Sequence, residues 1–175
     1  MQYLELFSTE ELLALAALDL EKEQLDKGLA KLKYLTKQSV VSDELDSMLG
    51  SVYAKLRLFN LAADHYALLL ERTPSRLHER FQLGMVYREM NELEKAAECW
   101  DVVLKEDGTY PPVLFHKALL HLTIEDVSES KTLLNKLVAT ADSDNYYVER
   151  ARNVLEDINL SESEPKPSTT AEQVH

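Results

Sequence analysis

Residues 43–76 read DELDSMLGSVYAKLRLFNLAADHYALLLERTPSR, and residues 77–110, which follow directly, read LHERFQLGMVYREMNELEKAAECWDVVLKEDGTY. The two segments align without a gap. Leu49, Gly50, Tyr53, Ala62, Tyr66, Leu69 and Pro74 fall on Leu83, Gly84, Tyr87, Ala96, Trp100, Val103 and Gly108, every pair separated by the same interval. One period upstream the same frame meets Leu15, Ala16, Asp19, Gly28, Leu32, Leu35 and Val40. One period downstream it meets Lys117, Ala118, His121, Ser130, Leu134, Leu137 and Asp142. These outer units keep the small residues and lose the tyrosine and the proline. A helical bundle has no reason to repeat at this interval, because its pattern recurs at about 7 or 11 residues, whereas stacked supersecondary units do.

Within a unit the apolar residues recur at three- and four-residue spacing, as in Leu45, Met48, Leu49, Val52 and Leu56, the signature of an amphipathic helix. The spacing predicts helices near 9–21, 24–37, 43–57, 60–72, 76–90, 93–106, 111–123 and 127–140, and a ninth from Tyr146 to Ile158. Ser8, Ser42 and Ser75 stand where a short polar side chain accepts the first free amides of a helix. Asn60 and Asn91 are expected at the turns between paired helices, and Pro74 and Pro111–Pro112 between units. Two columns of each unit hold only Gly, Ala or Ser: Ala16, Gly50, Gly84 and Ala118, then Gly28, Ala62, Ala96 and Ser130. Glycine inside a helix costs about 1 kcal/mol relative to alanine, so its use there implies helices that cross too closely for a larger side chain.

The period, about 34 residues, and the leucine-glycine, tyrosine, alanine, aromatic and proline columns together resemble the tetratricopeptide repeat (TPR). The resemblance implies an all-α, right-handed superhelical solenoid of about four helix-turn-helix repeats plus a C-terminal capping helix. Its domain would span 1–159, with repeats at about 9–42, 43–76, 77–110 and 111–144 and the capping helix at 145–159. Residues 160–175 have few apolar residues and two prolines and are expected to form a disordered acidic tail. The resemblance further implies a concave groove lined by the first helix of each unit. Carried onto this sequence, that groove comprises Leu13, Ala17 and Leu20; Ser47, Met48, Ser51 and Lys55; Phe81, Gln82, Met85 and Arg88; and Phe115, His116, Leu119 and Leu122. Some TPR proteins grip acidic carboxyl termini of chaperones with lysines and asparagines at these positions. Here serine, methionine, phenylalanine and glutamine stand instead, which points to apolar side chains of an extended segment or an amphipathic helix, with Phe81 and Phe115 as large anchors and Met85 as adaptable contact. The alternative is that the same residues pack against the terminal helix, the tail or a second copy.

Charge and chemistry narrow the function. With 31 acidic against 19 basic residues and a net charge of −12, the surface field repels nucleic acid and anionic lipid, so neither is an expected partner. The amino terminus lacks a basic start and its apolar residues are interrupted by charge, which fits neither a signal peptide nor a membrane span. A single cysteine, Cys99, fits a reducing, cytoplasmic setting. No glycine-rich phosphate loop is present. His116 and His121, five apart, fall on different faces of one helix, so metal binding is not expected, nor is any other cofactor. Cys99 and His65 occupy the same repeat column, which makes them interchangeable packing positions rather than a catalytic pair. The reading is a non-enzymatic protein-interaction module, an adaptor or scaffold. A dedicated chaperone of the secretion type and a self-assembling structural protein are its alternatives.

Overall fold

A computed structural model describes residues 3–163. Among the described residues it contains nine α-helices, a 3-10 turn at Leu4–Leu6 and no strand. The helices are α1 (Thr9–Glu21), α2 (Leu25–Lys37), α3 (Asp43–Lys55), α4 (Phe59–Arg72), α5 (Leu77–Glu89), α6 (Leu93–Glu106), α7 (Pro111–Thr123), α8 (Val127–Thr140) and α9 (Tyr146–Ser163). The described residues divide into two compact units, the first ending at Glu106 and the second beginning at Asp107.

In the first unit α1 packs on α2, α3 on α4 and α5 on α6, while α2–α3, α4–α5 and α1–α3 contacts join the pairs. Each helix pair therefore packs mainly on the pairs beside it in sequence, the nearest-neighbour logic of a repeat array. In the second unit α7 pairs with α8, and α9 packs on both.

The close crossings follow the two small-residue columns. All eight small positions are buried. A Cβ added at Gly50 would lie 2.8 Å from the Tyr66 ring, and one added at Gly84 would lie 2.7 Å from Cδ1 of Trp100. Trp100 is fully buried, and its indole N–H donates to the Phe81 carbonyl at 3.3 Å. The columns co-vary accordingly: the aromatic residues Tyr66 and Trp100 face glycines, whereas their buried counterparts Leu32 and Leu134 belong to repeats in which the facing column holds Ala16 and Ala118.

The turns repeat as faithfully as the helices. Glu23, Arg57, Asn91 and Glu125, each one repeat period from the next, are left-handed, with φ of 57–61°. The following residue donates its N–H to a carbonyl five positions back: Gln24 to Asp19, Leu58 to Tyr53 and Glu92 to Tyr87 at 2.8 Å, and Asp126 to His121 at 2.9 Å. This is the Schellman closure, which satisfies carbonyls that the helix end leaves free. Asn60 was expected at such a turn but is the second residue of α4; the repeat places Arg57 in the column of Asn91.

Ser8 forms a reciprocal capping box with Glu11, and Ser42 accepts the Leu45 N–H at 3.0 Å. Ser75 does not cap α5; Arg76 holds the cap position without a side-chain bond to the backbone. α9 continues past the expected boundary at 159, so residues 160–163 are helical and not tail. Ser161 donates to the Ile158 carbonyl at 2.7 Å, and Glu162 pairs with Lys131 of α8 at 2.5 Å, which tie the last turn down. The remainder of the expected tail, 164–175, lies outside the described residues.

Candidate binding groove

Three of the residues assigned to a groove come together in the first unit. Lys55 at the end of α3 and Gln82 and Met85 on α5 line an open cleft of about 290 Å³, with Ala54, Arg57, Phe59, Val86 and Glu89 completing its walls. The Schellman turn after α3 positions the cationic side, since the left-handed Arg57 sets its guanidinium 5.3 Å from the centre of the Phe59 ring, a cation–π distance. Glu89, on α5, accepts from Arg88 at 3.0 Å. The cleft lining thus combines the apolar Ala54, Phe59, Met85 and Val86 with the cations Lys55 and Arg57 from the end of α3 and its turn and the carboxylate of Glu89 from α5.

Nearer the start of both helices, α3 and α5 are joined by a charged clasp. Ser47 donates to Glu79 at 3.1 Å, and Arg76 reaches the same carboxylate at 2.5 Å. Burial pushes the Glu79 carboxyl up, yet the bonds from Arg76, its own backbone and Ser47 outweigh burial and hold it below the ordinary glutamate value. Along α3 and α4, buried Asp46 pairs with His65 at 2.8 Å and accepts from Arg72 at 2.5 Å. Both carboxylates are hydrogen-bonded within the fold and belong to its framework.

The other assigned positions stand elsewhere. Phe81 is 6% exposed and Phe115 is 2% exposed, so both rings are core side chains and offer little surface to a partner. Met48 and Ser51 on α3 and Leu13 and Ala17 on α1 are half-buried, and Leu13 and Met48 pack against the hydrophobic core. On α7 the groove-side residues are covered from within the second unit. The Tyr147 ring of α9 lies 5.4 Å from that of Phe115 and 5.9 Å from His116, and Arg150 sits over Phe115 at 5.5 Å. Leu119 is half-buried. Arg57, Phe59 and Glu89 were not assigned from the sequence. The signal for Arg57 was the turn column it shares with Asn91.

Cys99 is half-buried, and burial pushes its thiol up to about 11, the reverse of an activated nucleophile. Among the described residues no group of three or more His, Cys, Asp or Glu is placed to hold a metal, and no helix is long and apolar enough to cross a membrane.

No family model matches the chain, and no curated protein sequence matches it. Solved structures do. YrrB, described as a TPR protein with an unusual peptide-binding site, is 19% identical with a TM-score of 0.69, over 79% of this chain and 71% of that one. TTC0263, a thermophilic TPR protein of Thermus thermophilus, is 20% identical with a TM-score of 0.67, over 89% of this chain and 84% of that one. The chain has the tetratricopeptide-repeat fold. A TPR protein from Parabacteroides merdae, 18% identical with a TM-score of 0.72, is matched over 87% of this chain and 60% of its own. The TPR fold accounts for the common period of the turns and the small columns, and it assigns α1, α3, α5 and α7 as the first helices of their repeats.

Proposed function

We propose that this chain is a non-enzymatic interaction module, an adaptor or scaffold, which holds a segment of another protein in the cleft between α3 and α5. The observation that carries the reading is the cleft itself. Met85, Val86, Ala54 and Phe59 supply its apolar lining, with Gln82 among them as an amide able both to donate to and to accept from a peptide backbone. Lys55 and Arg57 favour a carboxylate next to the apolar anchor of the partner. The flexible, polarizable Met85 side chain adapts to an anchor of variable shape. The description of YrrB as having a peptide-binding site supports the reading by fold alone, and the same scaffold serves unrelated partners through its surface residues.

The test is site-specific photo-cross-linking in the full chain. A photoreactive residue at position 85 should capture one defined segment, and a synthetic copy of that segment should compete. The same residue at Leu160, exposed on α9, should not capture it. Equal capture from both positions, or capture that the synthetic segment does not suppress, would put binding outside the cleft.

A further inference from the structure

The outward face of α2 differs from its counterparts in the next two repeats. Ala30, Lys33 and Lys37 occupy the columns filled by Asp64, Ala67 and Glu71 on α4 and by Glu98, Asp101 and Lys105 on α6. A face kept only for solubility in a chain of net charge −12 would carry acids here, as α4 does. Instead α2 presents an open groove of about 420 Å³ in which Leu4 stands against Leu29, Ala30 and Tyr34, with Lys33 and Lys37 along it. Leu4, Leu29 and Tyr34 pack against the core on one side and remain partly exposed on the other. Among the described residues Lys31 is paired with Asp19, whereas Lys33 and Lys37 have no ion-pair partner. Asp26, the one acid lining the groove, is two turns of helix before Lys33, about 10 Å along the axis.

The complement of this face is on the same unit. Along α4 the stripe Leu61, Asp64, Leu68 and Glu71 is exposed throughout, with Leu61 at 43% and Leu68 at 47%. Its spacing of three, four and three sets apolar and acidic side chains in alternation on one side of the helix. Leu68 is a knob of the size that the Leu4–Leu29–Ala30–Tyr34 groove admits, Asp64 and Glu71 lie about one turn before and after it on α4, and Lys33 and Lys37, one turn apart, lie along the groove to meet them.

The geometry points to head-to-tail association between copies of this chain, in which the basic groove of α2 receives the acidic, apolar stripe of α4 from a second copy. The two surfaces differ, so the contact is heterologous and leaves a free stripe on one copy and a free groove on the other; assembly then continues beyond a dimer or closes into a ring. One helix face against another falls below the roughly 1,200 Å² typical of stable complexes, so association is weak and concentration-dependent. The Debye length of about 8 Å at physiological salt screens the general repulsion between copies while leaving contact pairs attractive. This contact is separate from the cleft between α3 and α5, and neither proposal requires the other.

Sedimentation velocity on the full chain, over a dilution series from micromolar to near-millimolar, tests it. The average mass of the wild type should rise with concentration past that of a dimer. Lys33→Glu with Lys37→Glu, and separately Asp64→Lys with Glu71→Lys, should each leave a monomer at every concentration. The second variant should be monomeric although its net charge is less negative, which separates a local contact from bulk repulsion. Mixing the two variants should restore association, because each then offers the face the other lacks. All four positions are at the surface, and unchanged far-UV circular dichroism verifies folding. A wild type that stays monomeric throughout overturns the inference, as does association indifferent to the reversals, or a mixture that fails to reassemble. Binding of the α2 face to an acidic segment of a different protein, without self-association, would also overturn it.

Discussion

Gly84→Ala tests the packing rule on which the repeat rests. The added Cβ would lie 2.7 Å from Cδ1 and 3.0 Å from Cε2 of Trp100, well inside the 3.4 Å at which ordinary van der Waals contact begins. Trp100 is 0% exposed, so the ring can yield only by displacing its neighbours. Such overpacking costs about 1–3 kcal/mol. Losing the indole bond to the Phe81 carbonyl adds about 1 kcal/mol, and the better helix propensity of alanine returns about 1 kcal/mol. The net expectation is a loss of about 1–3 kcal/mol. Trp100→Leu alone opens a cavity and should cost about 2–4 kcal/mol. The double variant recreates the alanine–leucine pair of the first and fourth repeats, Ala16 with Leu32 and Ala118 with Leu134. It should therefore be more stable than the sum of the single losses allows by about 1–2 kcal/mol. Urea titration followed by far-UV circular dichroism measures all four corners of the cycle without relying on the fluorescence of the only tryptophan. Strict additivity would show that the ring and the glycine are independent and would refute the reasoning.

Two further outcomes follow from ionisable groups that burial and hydrogen bonding perturb. Because burial pushes the Cys99 thiol up to about 11, a disulfide reagent at mildly alkaline pH should modify it far more slowly in the native chain than in urea; equal rates would mean that the thiol is open and normally acidic. Glu79 is held below its ordinary value, so its contribution to stability is fully present above the unfolded glutamate value of about 4.3 and is lost as pH falls through the lower folded value. The stability gap between wild type and Glu79→Gln should accordingly narrow in that acid window, and a gap independent of pH would show that the Glu79 carboxylate contributes nothing by its charge.

Much of the fold was legible because its geometric constraints recur with every repeat. The leucine-glycine and aromatic columns record direct steric contact, and the exchange of Gly–Tyr and Gly–Trp for Ala–Leu can be read from the letters alone. The turns were harder. Their left-handed positions are filled by Glu23, Arg57, Asn91 and Glu125 rather than glycine, so the usual residue signal is missing at three of them and Asn60 drew the assignment instead. The end of α9 was misplaced because Ser161 and Glu162 look like solvent residues until Ile158 and Lys131 are brought beside them.

The candidate binding face was legible only in part. Helical register identifies which side of α5 and α7 a residue occupies, but exposure depends on what lies over it. Phe115 is covered by Tyr147 and Arg150 of α9, a helix separated from α7 by the whole of α8. Phe81 is closed by packing that its own helix does not disclose. The cleft includes Arg57 and Phe59, which lie in a turn and a second helix, outside the first-helix columns of the expected groove. The chemistry of the α2 face emerges only when equivalent columns of different repeats are compared for charge.

The most direct test of the cleft is a titration. Peptides selected from a random displayed library on the full chain should be measured by fluorescence anisotropy against the wild type, Met85→Glu, and Lys33→Glu with Lys37→Glu. Met85→Glu, folded by circular dichroism, is expected to weaken binding at least about tenfold, equivalent to about 1.4 kcal/mol, while the α2 variant leaves it unchanged. Undiminished binding to Met85→Glu would contradict the assignment of the cleft between α3 and α5 as the site that holds a partner.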